Sequence, residues 1–283
     1  MKVSVSVITY QNEHTARQAI DSTLRQETDF DFEVIIGDDA STDGTRDILK
    51  SYQGHARVPV KTLLPQANAG DAGLTNLLAT IDSAEGEYIA FLDGDDYWTD
   101  PAKLQKQADF LDAHPECALC AHRVQHLQNN GKSALSPDAP QGSGSYDVGA
   151  LILRNFAPKI ATMVRRSALE DLPGWYRTSR ALSMDWLLNV LAGRHGQIGF
   201  ISEVMAVHRI HAASVCGTRG SARMFAEKLR LIPELQEFLP QKTNELQLLQ
   251  RRLRWKQRTA QWAPGTFRVL KRLNELARLQ PRT

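Results

Sequence analysis

Cysteine is scarce, with three in 283 residues. An odd, widely spread set excludes a disulfide framework and points to a reducing compartment. Cys117 and Cys120 form a CxxC with His122 just beyond, but Cys216 is far away. A zinc site would want a second close pair of ligands, so cysteines buried in a strand are expected instead. Long apolar runs are missing too: none approaches the roughly 20 residues a membrane span needs. The opening stretch MKVSVSVITYQNE turns polar too soon for a secretory signal and reads as a first strand. Nor does one sign of charge dominate. Lys plus Arg number 34 against 32 Asp plus Glu, a net +2, which argues against a wholly basic nucleic-acid binder. No internal repeat is present. What remains is an ordinary globular composition, 42% hydrophobic and 23% charged, in one large domain or two modest ones.

The neutral total hides a split. Residues 1–219 carry a balance of −7 and residues 220–283 a balance of +9, an acidic body followed by a basic segment.

Strand and helix patterns alternate through the first hundred residues. Val3–Ile8, Phe32–Ile36, Val58–Leu64 and Tyr88–Leu92 are short apolar runs rich in β-branched residues. Between them, Ala16, Ala19, Ile20 and Leu24 recur at helical spacing, and a second helical stretch covers Gly73–Ile81. This rhythm predicts a mostly parallel α/β sheet flanked by helices, with ligands bound beyond the carboxyl ends of the strands. Polar clusters fall there: Thr9 and Tyr10 after the first run, Asp38 and Asp39 after the second, Asp93, Asp95 and Asp96 after the fourth. Asp100-Pro101 then starts a helix predicted to reach about His114. Residues 129–147 read as a surface loop, and Pro233, Pro240 and Pro264-Gly265 punctuate later helical stretches.

Three carboxylates within four residues repel one another unless something positive is bound. Hard oxygen ligands at this density suit magnesium or manganese shared with substrate phosphates. The plainer alternative is an acidic turn whose Asp100 caps the next helix.

Three stretches together resemble glycosyltransferase family 2: VSVSVITY (3–10), EVIIGDDASTDGT (33–45) and YIAFLDGDDYW (88–98). The resemblance implies a GT-A, Rossmann-like fold and inverting transfer of a sugar from a nucleotide donor. Carried over residue by residue, it puts Thr9 and Tyr10 against the nucleotide base and has Asp39 accept N3–H of a uracil or thymine. Asp93 and Asp95 correspond to the family's DxD, Asp95 binding Mn2+ or Mg2+ and Asp93 lying near the ribose or metal. Asn68 opens the stretch NAGDAGLTN, where Thr75 stands in place of a common arginine; either the donor differs or another basic residue takes over. For Asp38 and Asp43, turn and cap roles weigh at least as much.

In the second half, Met184-Asp185-Trp186 resembles the family's Glu-Asp-Trp/Tyr segment, with Met184 replacing the usual Glu. Asp185 is the implied general base, taking the acceptor hydroxyl proton; the alternative is a cap on the helix Trp186–Leu191. Residues 196–211 resemble a strand leading into a Tyr-Arg-x-His-like element. There Arg209 or His211 would contact the diphosphate and His211 would add a nitrogen ligand to the metal. Residues 1–98 would then form the nucleotide-sugar half, 99–219 the acceptor and catalytic half of the same domain, and 220–283 a basic amphipathic helical extension.

That extension carries ten Lys or Arg and one Glu across residues 251–283, with Trp255, Trp262 and Phe267 among them. The pattern suits a helix at an anionic membrane surface and equally a helix packed on the acidic body. No nucleic-acid recognition motif accompanies it. The reading in full is a metal-dependent hexosyltransferase. It would move sugar from a UDP- or dTDP-sugar to a glycan acceptor, lipid-linked or free, in bacterial surface polysaccharide or lipopolysaccharide synthesis. It would work in the cytoplasm or at the cytoplasmic face of the inner membrane. Two rivals stand beside it. A haloacid-dehalogenase-type phosphatase would want its DxD after the first strand. A degenerate, non-catalytic nucleotide-sugar-binding or scaffold protein is suggested by Thr75 and Met184.

Overall fold

A computed structural model describes residues 1–179, 183–210 and 221–262. Its first half follows the expected alternation. Strands β1 (Val3–Thr9), β2 (Phe32–Asp38), β3 (Val60–Leu63) and β4 (Tyr88–Asp93) lie parallel in the order β3-β2-β1-β4. Helices α1 (Ala16–Leu24), α2 (Thr45–Lys50) and α3 (Leu74–Asp82) provide the crossovers. β1 and β2 are buried along nearly their whole length. β2 carries the apolar run Val34–Ile36, whereas β1 alternates Val3, Val5 and Val7 with Ser4 and Ser6, whose buried hydroxyls are satisfied by Glu33 and Thr80. Val3, Val5, Val7, Ala90 and Leu92 pack under Ala16, Ala19, Ile20 and Leu24 of α1. Ile89 and Phe91 face the other way, toward Leu74, Leu77, Leu78 and Ile81 of α3.

The rest of the sheet departs from the expected parallel arrangement. After β5 (Tyr97–Trp98) and α4 (Lys103–Ala113) come β6 (Cys117–Gln128), β7 (Ser133–Leu135), β8 (Gly144–Tyr146), β9 (Met163–Arg165) and β10 (Gln197–Ile210). The sheet has ten strands and continues as β4-β9-β6-β10-β5, with β7 on β6 and β8 on β10. Only β6 and β10 pair in parallel here; β9 runs antiparallel to both β4 and β6, and β5, β7 and β8 are antiparallel to their partners. The stretch 129–147 is therefore not wholly loop. Its Ser, Gly and Asn residues masked two three-residue strands too short for a periodic signal to register.

Asp100 behaves as expected at the start of α4, accepting the Ala102 N–H at 2.8 Å. Cys117 and Cys120 are buried in β6, as predicted, while Cys216 lies outside the described residues. Around the second half pack α5 (Val148–Leu153), α6 (Gly174–Arg177) and α7 (Met184–Ala192).

Two long helices close the described chain, α8 (Ser221–Phe238) and α9 (Thr243–Trp262). Pro233 does not end α8 as its type suggested. It costs one backbone hydrogen bond, but Leu231, Ile232 and Leu235 around it are buried and hold the helix in place. With Leu246, Leu249 and Leu253 of α9 they join the same core cluster as α3, α5 and α7. Up to Leu253 the segment is thus docked on the body by its apolar stripe. Arg251, Arg252, Arg254 and Arg258 are exposed, and Trp255 is 57% exposed. The rest of the basic segment, residues 263–283 with Phe267, lies outside the described residues.

Candidate active site

The carboxyl ends of β1, β2 and β4 align within one residue. Thr9 pairs with Asp38, and Ile8 pairs with Gly37 on one side and Asp93 on the other. The three polar clusters therefore share one sheet edge. Three non-glycine residues there have positive φ: Gln11 at 54°, Ala40 at 56° and Ala72 at 61°. Such backbone costs about 1–3 kcal/mol per residue and persists where the surroundings impose it.

Hydrogen bonds show how it is imposed. Gln11 Oε1 accepts the Thr42 and Asp43 N–H groups at 3.2 and 3.1 Å, and the Gln11 N–H donates to Ser41 Oγ at 2.9 Å. Asn12 N–H reaches Thr45 Oγ1, and Gly44 N–H reaches Glu13. The loops after β1 and β2 are zipped together. Asp38, fully buried, is the pin: it accepts the Ser41 N–H, the Ser41 hydroxyl and the Thr9 hydroxyl. Its expected turn-forming role holds, as does that of Asp43, which accepts the Glu13 and Thr45 N–H groups.

The residues singled out from sequence divide by what they touch. Thr9 is buried, with its hydroxyl committed to Gly37 O and Asp38, while Tyr10 is 52% exposed at the rim. Asp39 is buried beside them and accepts the Ala69 N–H at 3.2 Å. Burial, and behind it the charges of Asp71 and Asp38, push its carboxyl above the usual range. Asn68 donates to the Asp39 carbonyl at 2.8 Å and accepts the Gly70 N–H at 2.7 Å, folding the loop before α3 over Asp39. Here a groove of about 660 Å³ opens between β3 and α3, lined by Asp39, Leu64, Pro65, Ala69, Thr75 and Asn76 among others. Thr75 donates its hydroxyl at 2.5 Å and its N–H at 2.9 Å to the Asp71 carboxylate, so that Asp71 caps the first turn of α3.

The turn Asp93-Gly94-Asp95-Asp96 faces these loops. Gly94 is required by close approach: a Cβ there would come within 2.7 Å of both Asn12 Oδ1 and Thr9 Cγ2. Gly94→Ala is accordingly expected to cost about 1–3 kcal/mol by overpacking, as thermal melts will show. Asp96, 1% exposed, accepts the Arg209 N–H at 2.8 Å. Burial and the neighbouring Asp95 and Asp93 charges drive its carboxyl well up. Arg209 does more than sequence suggested. Its guanidinium donates to the Asp95 carbonyl and to Gln18 Oε1, each at 2.5 Å, and lies 4.6 Å over the Tyr97 ring. It braces the turn from beneath. His211 lies outside the described residues.

Sequence reasoning passed over Lys159, whose ammonium sits 2.5 Å from Asp93 Oδ1. A lone lysine after Pro158 in a segment without a motif carries no signal that could have flagged it. Burial pushes the Asp93 carboxyl up and Lys159 pulls it back, with Asp95 adding to the rise.

Asp185 lies in the first turn of α7 and not at its cap; Ser183 is the N-cap residue. A first-turn carboxylate still favours the helix N-terminus. Tyr176 is fully buried, its hydroxyl without a partner among the described residues; burial first, and then the Asp185 charge, raise its phenol. From the same helix Asn189 donates to Ala157 O at 2.8 Å and to Thr162 Oγ1 at 3.3 Å. α7 is thus tied to the segment that carries Lys159.

Do these residues fit a divalent ion? Among the described residues no group of three or more His, Cys, Asp and Glu converges as a ready-made cage. Yet the carboxylates Asp93, Asp95 and Asp96 lie within one turn, where burial first and their mutual repulsion second raise Asp93 and Asp96, and a cation beside them would favour the charged forms. The set fits an ion held by one or two carboxylates and completed by substrate oxygens, with Asp95 and Asp93 as the protein's share.

Comparison with known proteins agrees with this geometry. The uncharacterized protein Rv1520 of Mycobacterium tuberculosis is 38% identical over 216 residues, 75% of this chain and 60% of that protein. The chain thus spans about 60% of the length of this relative. The poly(ribitol-phosphate) beta-N-acetylglucosaminyltransferase TarS of Staphylococcus aureus is 37% identical over 117 residues, 40% of this chain and 19% of that protein. The crystal structure of TarS residues 1–349 in complex with UDP-GlcNAc superposes with a TM-score of 0.67 at 22% identity, covering 83% of this chain and 67% of that one. The mannosyltransferase PcManGT from Pyrobaculum calidifontis, in complex with GDP-Man and Mn2+, gives 0.58 at 16% identity over 99% and 81% of the two chains. The structural neighbours share the GT-A fold. The family described as "Glycosyl transferase family 2" matches residues 4–173, and with the three motifs gathered on one sheet edge this chain belongs to that family.

Proposed function

We propose that the protein is an inverting, metal-dependent glycosyltransferase that moves a sugar from a UDP- or dTDP-sugar to a hydroxyl of a glycan acceptor. One observation carries this: Asp39, Asn68 and the DxD turn converge on one sheet edge, beside a groove of about 660 Å³. That volume lies in the usual range for small-molecule sites.

In this reading Tyr10 and the groove hold the base, and Asp39 accepts its N3–H. A divalent ion, Mn2+ or Mg2+, held by Asp95 and Asp93 would stabilise charge on the departing diphosphate. Arg209 keeps the turn in place. Asp185 takes the proton from the acceptor hydroxyl; that oxygen attacks the anomeric carbon as the bond to the diphosphate oxygen breaks. Inversion follows from one displacement, and the nucleoside diphosphate leaves with the bonding electron pair.

The acceptor is proposed as a bacterial surface glycan, free or lipid-linked. Its support is the name of TarS, a transferase acting on poly(ribitol-phosphate), and the exposed cations with Trp255 on α9. Such a face suits anionic headgroups at the inner membrane. No helix among the described residues is long and apolar enough to cross a membrane, so contact would be peripheral.

The test is calorimetry with UDP, dTDP, GDP and their sugars, with Mn2+ and with chelator. Uridine or thymidine nucleotides should bind, and Mn2+ should strengthen binding by about tenfold, close to 1.4 kcal/mol. Asp95→Ala should abolish that metal increment and leave metal-free affinity intact. No binding to any of the three series would overturn the proposal. Donor binding without turnover on a broad acceptor panel would favour a non-catalytic protein.

A further inference from the structure

Thr75 stands where the family resemblance leads one to expect a cation near the donor. It is engaged with Asp71, so the missing charge must come from elsewhere if the diphosphate is to be met by protein cations. Arg209 is spent on the backbone of the turn and on Gln18. Among the described residues Lys159 is the lysine paired with a carboxylate of the DxD turn.

Its placement is built. β9 pairs with β4 only along Tyr88–Ala90. Beyond that, the Thr162 carbonyl takes the Phe91 N–H, and a single 3-10 turn, Lys159–Ala161, fills the space beside the end of β4. Side chains from three other elements hold the carbonyls of this turn and its approach. Trp98 Nε1 donates to Ile160 O at 3.1 Å, Gln107 Nε2 to Ala161 O at 2.9 Å, and Asn189 Nδ2 to Ala157 O at 2.8 Å. Ile160 and Ala161 are buried, and the Lys159 side chain is only 13% exposed. A lysine that merely balanced a surface charge would need no such pedestal. Its ammonium is delivered into the carboxylate cluster, 2.5 Å from Asp93, and its charge is felt at Asp96.

We propose that Lys159 contacts the diphosphate of the nucleotide-sugar, supplying in this chain the positive charge that Thr75 lacks. The proposal rests on the glycosyltransferase reading above. An ammonium with three donors can keep Asp93 and still offer hydrogens to phosphate oxygens. Such charge-assisted bonds are about twice as strong as neutral ones.

The test compares UDP with uridine in chelator, because only the first carries the diphosphate. Wild-type protein should bind UDP more tightly than uridine. Lys159→Met should weaken UDP by about tenfold to a hundredfold and leave uridine within about twofold, while Lys159→Arg restores most of the preference. Loss of Lys159 also leaves Asp93 uncompensated, so Asp93→Asn/Lys159→Met separates contact from net charge. If Lys159 touches the diphosphate, the double variant keeps the lost preference; if it only neutralises Asp93, the preference returns and the proposal falls. An unchanged UDP-to-uridine ratio in Lys159→Met overturns it as well. Wild-type protein that binds neither uridine nor thymidine compounds would overturn the glycosyltransferase reading itself, and this proposal with it.

Discussion

Asp185→Asn is expected to slow glycosyl transfer by about a hundredfold to ten-thousandfold, the usual range for loss of a positioned general base, with donor binding unchanged. The substitution is nearly isosteric and falls in the first turn of α7. Its structural cost is the loss of one charge near a helix N-terminus, about 0.3–1 kcal/mol. The carboxylate at issue stands beside the unpartnered Tyr176 hydroxyl, whose surroundings should change little. Calorimetry with the UDP-sugar and a single-turnover transfer assay on the same protein separate the two effects. Transfer retained at near wild-type rate would remove Asp185 as base and leave α7 as scaffold. Loss of both binding and transfer would point to misfolding of the α7 segment.

The second large effect concerns stability. Lys103 is fully buried, its ammonium 3.9 Å above the Trp98 ring and 2.7 Å from Gln107 Oε1. Burial pulls its pKa from 10.5 down to about 7. The direction of linkage follows. Between these values the unfolded chain holds the proton and the folded chain does not, so unfolding takes up a proton and stability rises with pH across that window. The full span corresponds to about 5 kcal/mol at roughly 1.4 kcal/mol per unit.

Lys103→Met keeps the aliphatic stem and removes the amine, at the expense of leaving Gln107 Oε1 unsatisfied, about 1–3 kcal/mol. At pH 7 the variant should therefore be more stable than wild type by about 2–4 kcal/mol. The advantage should shrink as pH rises toward 10. Denaturant melts at a series of pH values check both the sign and the slope. A variant less stable at pH 7, or a difference that ignores pH, would show that the Trp98 face keeps the ammonium charged inside. Gln107 also holds Ala161 O, so the variant reports on the pedestal under Lys159 as well.

The first half was readable because its signals are local. Its buried parallel strands are rich in β-branched residues, and the turns that follow must be polar to remain at the sheet edge. The family motifs sit on those turns, so Asp39, Asn68 and Asp93 could be named before any geometry existed. The second half resisted for a physical reason. β7, β8 and β9 are each three residues long, below the length at which a period of two can be counted, and their pairing is decided by distant partners. Lys159 shows the same limit: its position is fixed by Trp98, Gln107 and Asn189, residues drawn from three separate stretches. Arg209 was singled out for the phosphates, yet its nearest duties are to the Asp95 carbonyl and to Gln18. Sequence marked the residue but not what it touches. The basic segment left two readings open, a membrane-surface helix and a helix packed on the body, because its cations fit both; Leu231, Leu235, Leu246 and Leu249 dock its first part on the body.

The three residues Gly94–Asp96 join β4 to β5, strands that along the sheet have β9, β6 and β10 between them. So short a linker fixes how far the start of β5 can lie from the end of β4, about 14 Å at full extension. The turn that carries Asp95 is therefore a closure joint under topological constraint, anchored at one end in β4 and at the other through the pairing of β5 with β10. Its shape is set when the chain folds. In the proposed reading a donor would meet carboxylates already held in register, with little conformational entropy left for binding to remove.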